Sequence, residues 1–574
     1  MRHLFPGLKA VLSLATFLLI SASTCFAADS TDLKPAGQWD FNGGIENRME
    51  PSQKGVWHGA APVFKEDQKG QAGSAIEFDG IGNWLEVPLD CPAGKEDFTI
   101  TGWFRIPETI DDAAGDLLSL YDPKTRHGIN LTLQSFAGVA SGESNKRNLL
   151  FGLDADRLDP SWTDNGRPGN AVLVYALAVF EGSLYAGTYE SGAEEAGTVY
   201  RYLGGDDWES CGSPDQCNSV TSLCVFQGAL YAAVSTYNAQ GSQLNRSENT
   251  AMGGKVYRYD GGRKWIDCGR LGNAEYIFGL AEFDNHLYAT LIHSPNPSGD
   301  LTDLGLYRYE GADQWTYCGN PGGRVCAIAP HNGKLYGSGY DGGNFGGVFR
   351  YEGDSKWTNC GVPGKTDQTY SFANHWGDLY VGTWPEGKVH RYIDDGNWED
   401  RGRLGEEMEV MGMSLYNGQL FAGTLPLAQV YRYLGGTTWS LTGQLDQTPD
   451  VKYRRAWTMA VFQGRLFCGT LPAGRVSSIE SGIATTFDKD LGAGWKHIAA
   501  VRKDSLLHLY VNGALVSSSH SFEPDQYDLG TLSPLRIGFG PQGHFKGSIS
   551  DLCIYRKPLD GKQIEDLYIS TMKK

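Results

Sequence analysis

The sequence predicts an all-β protein in which a seven-bladed β-propeller is inserted into a second β domain. Three observations predict it. Gly is abundant (76 of 574 residues) and aromatics reach 12%, while charged residues are only 20%, a profile of short strands and tight turns more than of long charged helices. One hairpin recurs at a fixed spacing through the middle of the chain. Short stretches of alternating apolar and polar residues flank the repeats on both sides.

The repeated hairpin is "VYRYLGGDDW", residues 199–208, which returns as "VYRYDGGRKW", "LYRYEGADQW", "VFRYEGDSKW", "VHRYIDDGNW" and "VYRYLGGTTW". Registered on their Arg, the copies are Arg201, Arg258, Arg308, Arg350, Arg391 and Arg432, each followed seven residues later by Trp208, Trp265, Trp315, Trp357, Trp398 or Trp439. Upstream of each lies a second hairpin with a tight turn, as in "AVFEGSLYAGT" and "SLYNGQLFAGT". Four short strands in a repeat of roughly 41 to 57 residues is the period of a propeller blade. A seventh repeat begins at "AWTMAVFQGRLFCGT" and stops after "GRVSSIE" without its Trp strand, whereas "SWTDNGRPG", with Trp162, matches the Trp strand and precedes the first repeat. An outer strand from the N-terminal side would therefore complete the last blade, leaving no frayed sheet edge. The constant Arg and Trp are expected to pack and hydrogen-bond between blades. The hairpins resemble those of kelch-like propellers, although the second strand ends in Gly-Thr and the Tyr-to-Trp spacing is one residue shorter.

The flanks read as one domain. "AGQWDFNGG", "SAIEFDGIGNWLEVP", "DFTITGWFRIP" and "GINLTLQS" precede the repeats; "GWKHIAAVRKDSLLHLYVNGALVSS", "LRIGFG" and "FKGSISDLCIYRKPLDGKQIEDLY" follow them. In this order these motifs resemble the laminin-G-like, concanavalin A-like jelly-roll sandwich. The expected organisation is a leader at 1–28, a discontinuous jelly roll at 29–158 and 483–574, and the propeller at 159–482. Such an insertion requires the guest's two ends to lie together, which the proposed closure supplies.

The formal charge of −18 and pI near 5.1 argue against nucleic-acid or anionic-membrane partners. Arg2 and Lys9, an apolar run from Val11 to Ala22 and the Cys25-Phe26-Ala27 site have the form of a signal peptide. No other stretch is apolar enough to span a bilayer, so a secreted or periplasmic protein is expected. Four of the ten remaining cysteines, Cys211, Cys268, Cys318 and Cys360, fall three residues after a repeat Trp. They are too far apart to bridge one another and read as small buried side chains. Disulfides are expected, if anywhere, between Cys211 and Cys217 or between Cys91 and Cys553.

The jelly-roll resemblance implies carbohydrate binding, often with calcium, or protein adhesion. Asp40, Asn47 and Asp551 are the candidate calcium ligands, since calcium takes several oxygens; where the family's strand commonly carries two acidic residues, "GSISDLCIY" has Ser550 in the first of the two places. The clustered carboxylates that glucanases of this fold use are absent. Arg105 in "FRIP" lies on a jelly-roll strand and is not read as a sialidase arginine. Variation in the ring points instead to the loops after the second strands, "TYESGAEEAGT", "STYNAQGSQLNRSENTAMGGK", "LIHSPNPSGDLTDLG" and "GYDGGNFGG". They crowd one face, where binding residues on a rigid scaffold concentrate. One position of each innermost strand, namely Tyr175, Thr221, Phe278, Cys326, Tyr370, Met411 and Trp457, is expected near the channel mouth. Tyr175, Phe278, Tyr370, Trp457, His293, Asp341 and Arg454 are the candidate ligand-binding residues, with Arg454 or its neighbour Arg455 holding an anionic group. No nucleophile–base pair is assignable. The expected function is a secreted carbohydrate-binding or adhesion protein whose partner is a glycan or an extracellular protein. A polysaccharide-active enzyme, glycosidase or lyase, and a structural surface component are the alternatives.

Overall fold

Two stacked antiparallel sheets form one part of the chain. The computed structural model describes residues 34–572 apart from 53, 89–91, 93, 110–113, 297–299 and 531–532, so the leader with Cys25, and Cys91, lie outside the described residues. One sheet runs Val63–Lys65, Ala75–Asp79, Lys546–Tyr555, Phe98–Ile106, Gly494–Lys503, Leu506–Val511, Ala514–Ser518, with Gly37–Trp39 also on Lys546–Tyr555. The other runs Val56–His58, Trp84–Val87, Leu535–Ile537, Asp116–Asp122, His127–Val139, Gly142–Leu158, Ser481–Phe487. Alternation along the strands turns Trp39, Phe78, Phe104, Phe151, Ile498 and Ile549 into the shared core. Both sheets thus draw strands from either side of the repeats. One helix, Gly561–Thr571, ends the described chain in a stretch grouped above with the flanking strands. It forms because Asp560 and Gln563 make a reciprocal capping box.

From Thr163 to Ile479 the strands belong to other sheets. Five are four-stranded meanders, and one eight-stranded sheet consists of two further meanders joined by the single pairing of Tyr189 with Ser219. Together they make a β-propeller arrangement. The last meander takes its outer strand from the N-terminal side, Thr163 pairing with Ser478 and Asp164 with Ser477. Arg475 also donates to both Asp164 oxygens across this seam.

The repeat Trp residues join neighbouring sheets. The Nε1 of Trp208, Trp265, Trp315, Trp398 and Trp439 donates to the carbonyl of Asn165, Cys211, Cys268, Cys360 and Arg401 respectively, at 2.8–2.9 Å. Each acceptor lies three residues after the preceding Trp. Because the acceptor is backbone, the side chain there is free to vary and merely has to fit. Cys211, Cys268, Cys318 and Cys360 are buried free thiols, as are Cys217, Cys224, Cys326 and Cys468; Cys553 is free and half-buried. Cys211 and Cys217 are therefore not bridged, nor is Cys553: their sulfurs lie in their own apolar packing, Cys211 near the Glu209 carbonyl and Cys217 near that of Ser219.

The sandwich also enters the ring. His127–Val139 and Gly142–Leu158 form one long hairpin, and every residue from Gly138 to Asp154 is buried, charged ones included. Its strands touch all seven innermost strands: Leu173–Phe180, Ser219–Phe226, Tyr276–Phe283, Val325–His331, Gln368–His375, Glu409–Tyr416 and Arg455–Phe462. The hairpin thus packs against one strand from each of these meanders. Several polar groups on it find partners beyond the hairpin. Asn145 donates to Val461 O and accepts from Val461 N, Glu143 accepts from Glu282 N, and the Lys146 ammonium contacts Glu282 and Val225 O. No described helix is long and apolar enough to cross a membrane.

Candidate functional site

The innermost strands all break register at the same place. Bulges fall between Val174 and Ala176, Val220 and Ser222, Ile277 and Leu280, Val325 and Ile328, Thr369 and Phe372, Val410 and Met413, and Ala456 and Thr458. The residues inside them include Tyr175, Thr221, Phe278, Cys326, Tyr370, Met411 and Trp457. An extra residue in one strand leaves the ladder and re-aims its side chain. All but Thr221 of these seven join one apolar cluster with Ala140, at the hairpin tip.

Above that cluster is a cavity of ≈ 520 Å³, lined by Tyr175, Phe278, Tyr370 and Trp457 from the bulges and by Tyr237 and Ser242 from the loop after Ala229–Ser235. The hairpin tip lies at its base: Ser141 Oγ donates to Tyr175 O at 3.1 Å and accepts from Trp457 Nε1 at 3.4 Å. The cavity is therefore closed from below by the sandwich. Its walls are aromatic and mutually fixed, with Tyr175 edge-on to Trp457 at 5.0 Å and to Tyr237 at 5.3 Å, and with the Tyr175 and Tyr276 hydroxyls 2.5 Å apart. The loop covering one side is pinned by Asn249, whose amide donates to Glu195 O and Gln216 O.

Two ionisable groups sit inside the cavity wall. Glu409 is 3% exposed. Burial pushes its carboxyl up to about 7, against the opposing pull of Arg455 and of the Tyr370 hydroxyl. Arg455 is 9% exposed, donates from one terminal nitrogen to Ser242 Oγ at 2.5 Å, and lies over the rings of Trp457 and Tyr453.

Of the seven sequence candidates, Tyr175, Phe278, Tyr370, Trp457 and His293 line this cavity. Arg454 does not: its Nε donates to Thr448 O at 2.8 Å, and the neighbouring Arg455 faces the cavity instead. Adjacent strand residues point to opposite sides, so a one-residue uncertainty selects the wrong guanidinium. Asp341 stands behind the wall, accepting from Arg324 N and Nε at 2.6 Å, and Arg324 in turn covers the ring of Tyr340. Tyr237, Tyr276 and Glu409 were not singled out from the sequence. Tyr237 lies in a long variable loop, and the position of Glu409 two residues before the bulge residue Met411 was the available signal.

The calcium candidates are engaged elsewhere. Asp40 accepts from Arg48 Nε at 2.9 Å, Asp551 accepts from Gln68 and from Lys69, and the Asn47 oxygen accepts from Gln38 N and Met49 N. No group of three or more His, Cys, Asp or Glu able to hold a metal occurs among the described residues. This donor set does not fit an ion that takes six to eight oxygens. Arg105 lies on the sandwich strand Phe98–Ile106, away from the ring cavity.

Residues 471–565 match the concanavalin A-like lectin/glucanases superfamily. The match begins inside the last meander, whose strand Val476–Ile479 pairs with the N-terminal Thr163–Asp164. No curated protein sequence matches significantly. Solved structures similar to the chain include a catalytically inactive virginiamycin B lyase from Staphylococcus aureus, at 12% identity and TM-score 0.40 over 55% of this chain and 97% of that one. A sialidase from Trypanosoma rangeli is similar at 11% identity and TM-score 0.25, over 74% and 99%. A pentraxin from Limulus polyphemus is similar at 19% identity and TM-score 0.15, over 21% and 57%. No activity is carried over from them. The chain combines a concanavalin A-like domain with a β-propeller arrangement.

Proposed function

We propose that this is an exported carbohydrate-binding or adhesion protein whose ligand seat is the cavity on the axis of a seven-bladed propeller. Support for seven blades comes from the joint between the two meanders of the eight-stranded sheet, which is one residue pair, and from Trp162, whose Nε1 donates to Thr442 Oγ1, three residues after Trp439. That bond repeats the Trp spacing across the closing seam. The leader motif supports export.

The observation that carries the binding reading is a blind, aromatic-walled cavity of a size suited to one or two sugar rings, with hydroxyls and amides at its mouth. Flat rings stack on sugar faces while phenols and carboxyls accept and donate to hydroxyls. The test is retention of the full-length mature chain on a glycan and polysaccharide panel, together with the Tyr237→Ala variant, scoring both binding and release of reducing ends or unsaturated products. Retention that is weakened by Tyr237→Ala and yields no product supports the reading; silence on every glycan refutes it and moves the weight to protein partners.

One observation favours a polysaccharide-active enzyme as the second reading. A buried carboxyl held near neutrality, as at Glu409, is the condition for a general acid. Glycosidases also require a paired carboxylate, for which Glu275 in the cavity lining is the available partner. Product release that disappears in Glu409→Gln would establish this reading.

A further inference from the structure

Arg455 is buried and charged; no carboxylate lies within ion-pair distance of it among the described residues, and Glu409 acts on it only from farther off. One terminal nitrogen is used by Ser242, and the buried Nε has no hydrogen-bond partner at all. A buried guanidinium with hydrogen-bonding capacity to spare is costly, and most such groups in folded proteins are paired. This one faces the cavity, held in place by Trp457 and Tyr453 beneath and beside it. An unfilled planar fork in an otherwise aromatic pocket matches a planar, singly charged oxyanion.

We propose that the cavity selects saccharides bearing a carboxylate, such as uronate-containing oligosaccharides, with the acid group seated on the Arg455 guanidinium and the sugar rings against Trp457, Tyr175 and Tyr237. The inference rests on the saccharide-binding reading above. His293 is the other basic residue of the lining and Glu275 and Glu409 are the acidic ones, so one guanidinium is available for a single negative charge. A phosphate dianion would require a second fixed cation.

Glu409 gives the site a pH dependence of definite sign. The groups facing it are Arg455 and the Tyr370 hydroxyl, with Tyr340 and Cys326 nearby. The arginine stays charged, and burial keeps both phenols and the thiol neutral through the physiological range. When Glu409 ionises, a bound carboxylate gains a like-charged neighbour, so affinity for the acidic ligand falls as pH rises through neutrality. A neutral ligand lacks that repulsion.

The test measures affinities of the full mature chain for matched oligogalacturonate, neutral hexose and sulfated oligosaccharides between pH 5.5 and 8.5. The variants are Arg455→Lys, Arg455→Met and Glu409→Gln, with the far-UV spectrum and melting curve of each as folding controls. Expected is tighter binding of the oligogalacturonate than of the neutral sugar, weakened at least roughly tenfold by Arg455→Met, and weakened by Arg455→Lys, which keeps the charge but loses the fork. Glu409→Gln should remove the decline of acidic-sugar affinity above neutrality, leaving the ratio of affinities at pH 5.5 and 8.5 near one. If Arg455→Met does not fold, the Arg455→Lys and Glu409→Gln results decide. Equal or tighter binding of neutral sugar overturns the acidic preference while leaving the saccharide reading intact. Preference for the sulfated ligand also overturns it. Binding of none overturns both.

Discussion

Lys146→Met removes the one ammonium that accompanies the sandwich hairpin into the ring. Lys146 is 3% exposed at its side chain and contacts Glu282, itself 6% exposed, while Glu143, also buried, accepts from Glu282 N at 3.1 Å. Two carboxylates from different parts of the chain would then remain in a dry interface without their counter-charge. Burial already pushes Glu143 up to about 7 with Lys146 present; without it both groups must be protonated or hydrated. Breaking a buried pair in this way costs about 3–5 kcal/mol, a large part of a net stability of about 5–15 kcal/mol. Equilibrium urea unfolding followed by tryptophan fluorescence should show the loss as a lower midpoint. The combined Lys146→Met, Glu143→Gln, Glu282→Gln chain should regain most of it, because neutral amides carry no uncompensated charge. A Lys146→Met midpoint within about 1 kcal/mol of the parent would mean that the hairpin is not held against the innermost strands, and the closed floor of the cavity would fall with it.

Three further outcomes are expected. Trp265→Phe, which removes the donor to Cys211 O, should destabilise by about 1 kcal/mol more than Trp357→Phe, whose buried Nε1 has no partner to lose; melting curves compare the two. The raised pKa of Glu409, about 7 against 4.5, means that the native state holds this proton where the unfolded state has released it, so its contribution is greatest below about pH 4.5 and is lost as pH rises through 7. Unfolding free energies of the parent and Glu409→Gln should therefore diverge by about 3 kcal/mol across that window, and a constant difference would refute the assignment. Chelation of divalent cations should leave both stability and glycan retention unchanged, since Asp40 and Asp551 already hold Arg48 and Lys69; a lower melting temperature in chelator would restore the calcium expectation.

The hairpin in the ring also bears on how the parts can be separated. Excising the repeats would strip the partners from Glu143, Asn145 and Lys146 of the hairpin, and excising the sandwich would open the cavity below Tyr175 and Trp457. Function should accordingly be measured on the full chain.

Much of the architecture is local and therefore legible in the chain. The Arg-to-Trp offset, the tight turns and the early Trp162 strand follow from spacing alone, because a meander pairs residues close in sequence, and the closing strand betrays itself as a Trp motif without a preceding hairpin. The axis-facing positions from Tyr175 to Trp457 were legible for the same reason: the bulge recurs at one place in every repeat. The sandwich motifs were legible as a set, in their family order. What tertiary structure alone decided is long-range. Nothing in "LQSFAGVASGESNKRNLL" marks a strand pair destined to pack against the strands of another domain, since its polar residues find their partners at Glu282 and Val461, more than a hundred residues away. The choice of Arg455 over Arg454 depends on which side of one strand faces the axis. The neutral tendency of Glu409 depends on burial, which outweighs the opposing pull of Arg455 and of the Tyr370 hydroxyl. Backbone hydrogen bonds and turns are written between neighbours, whereas the dielectric and the charge around a side chain are set by whatever the fold brings against it.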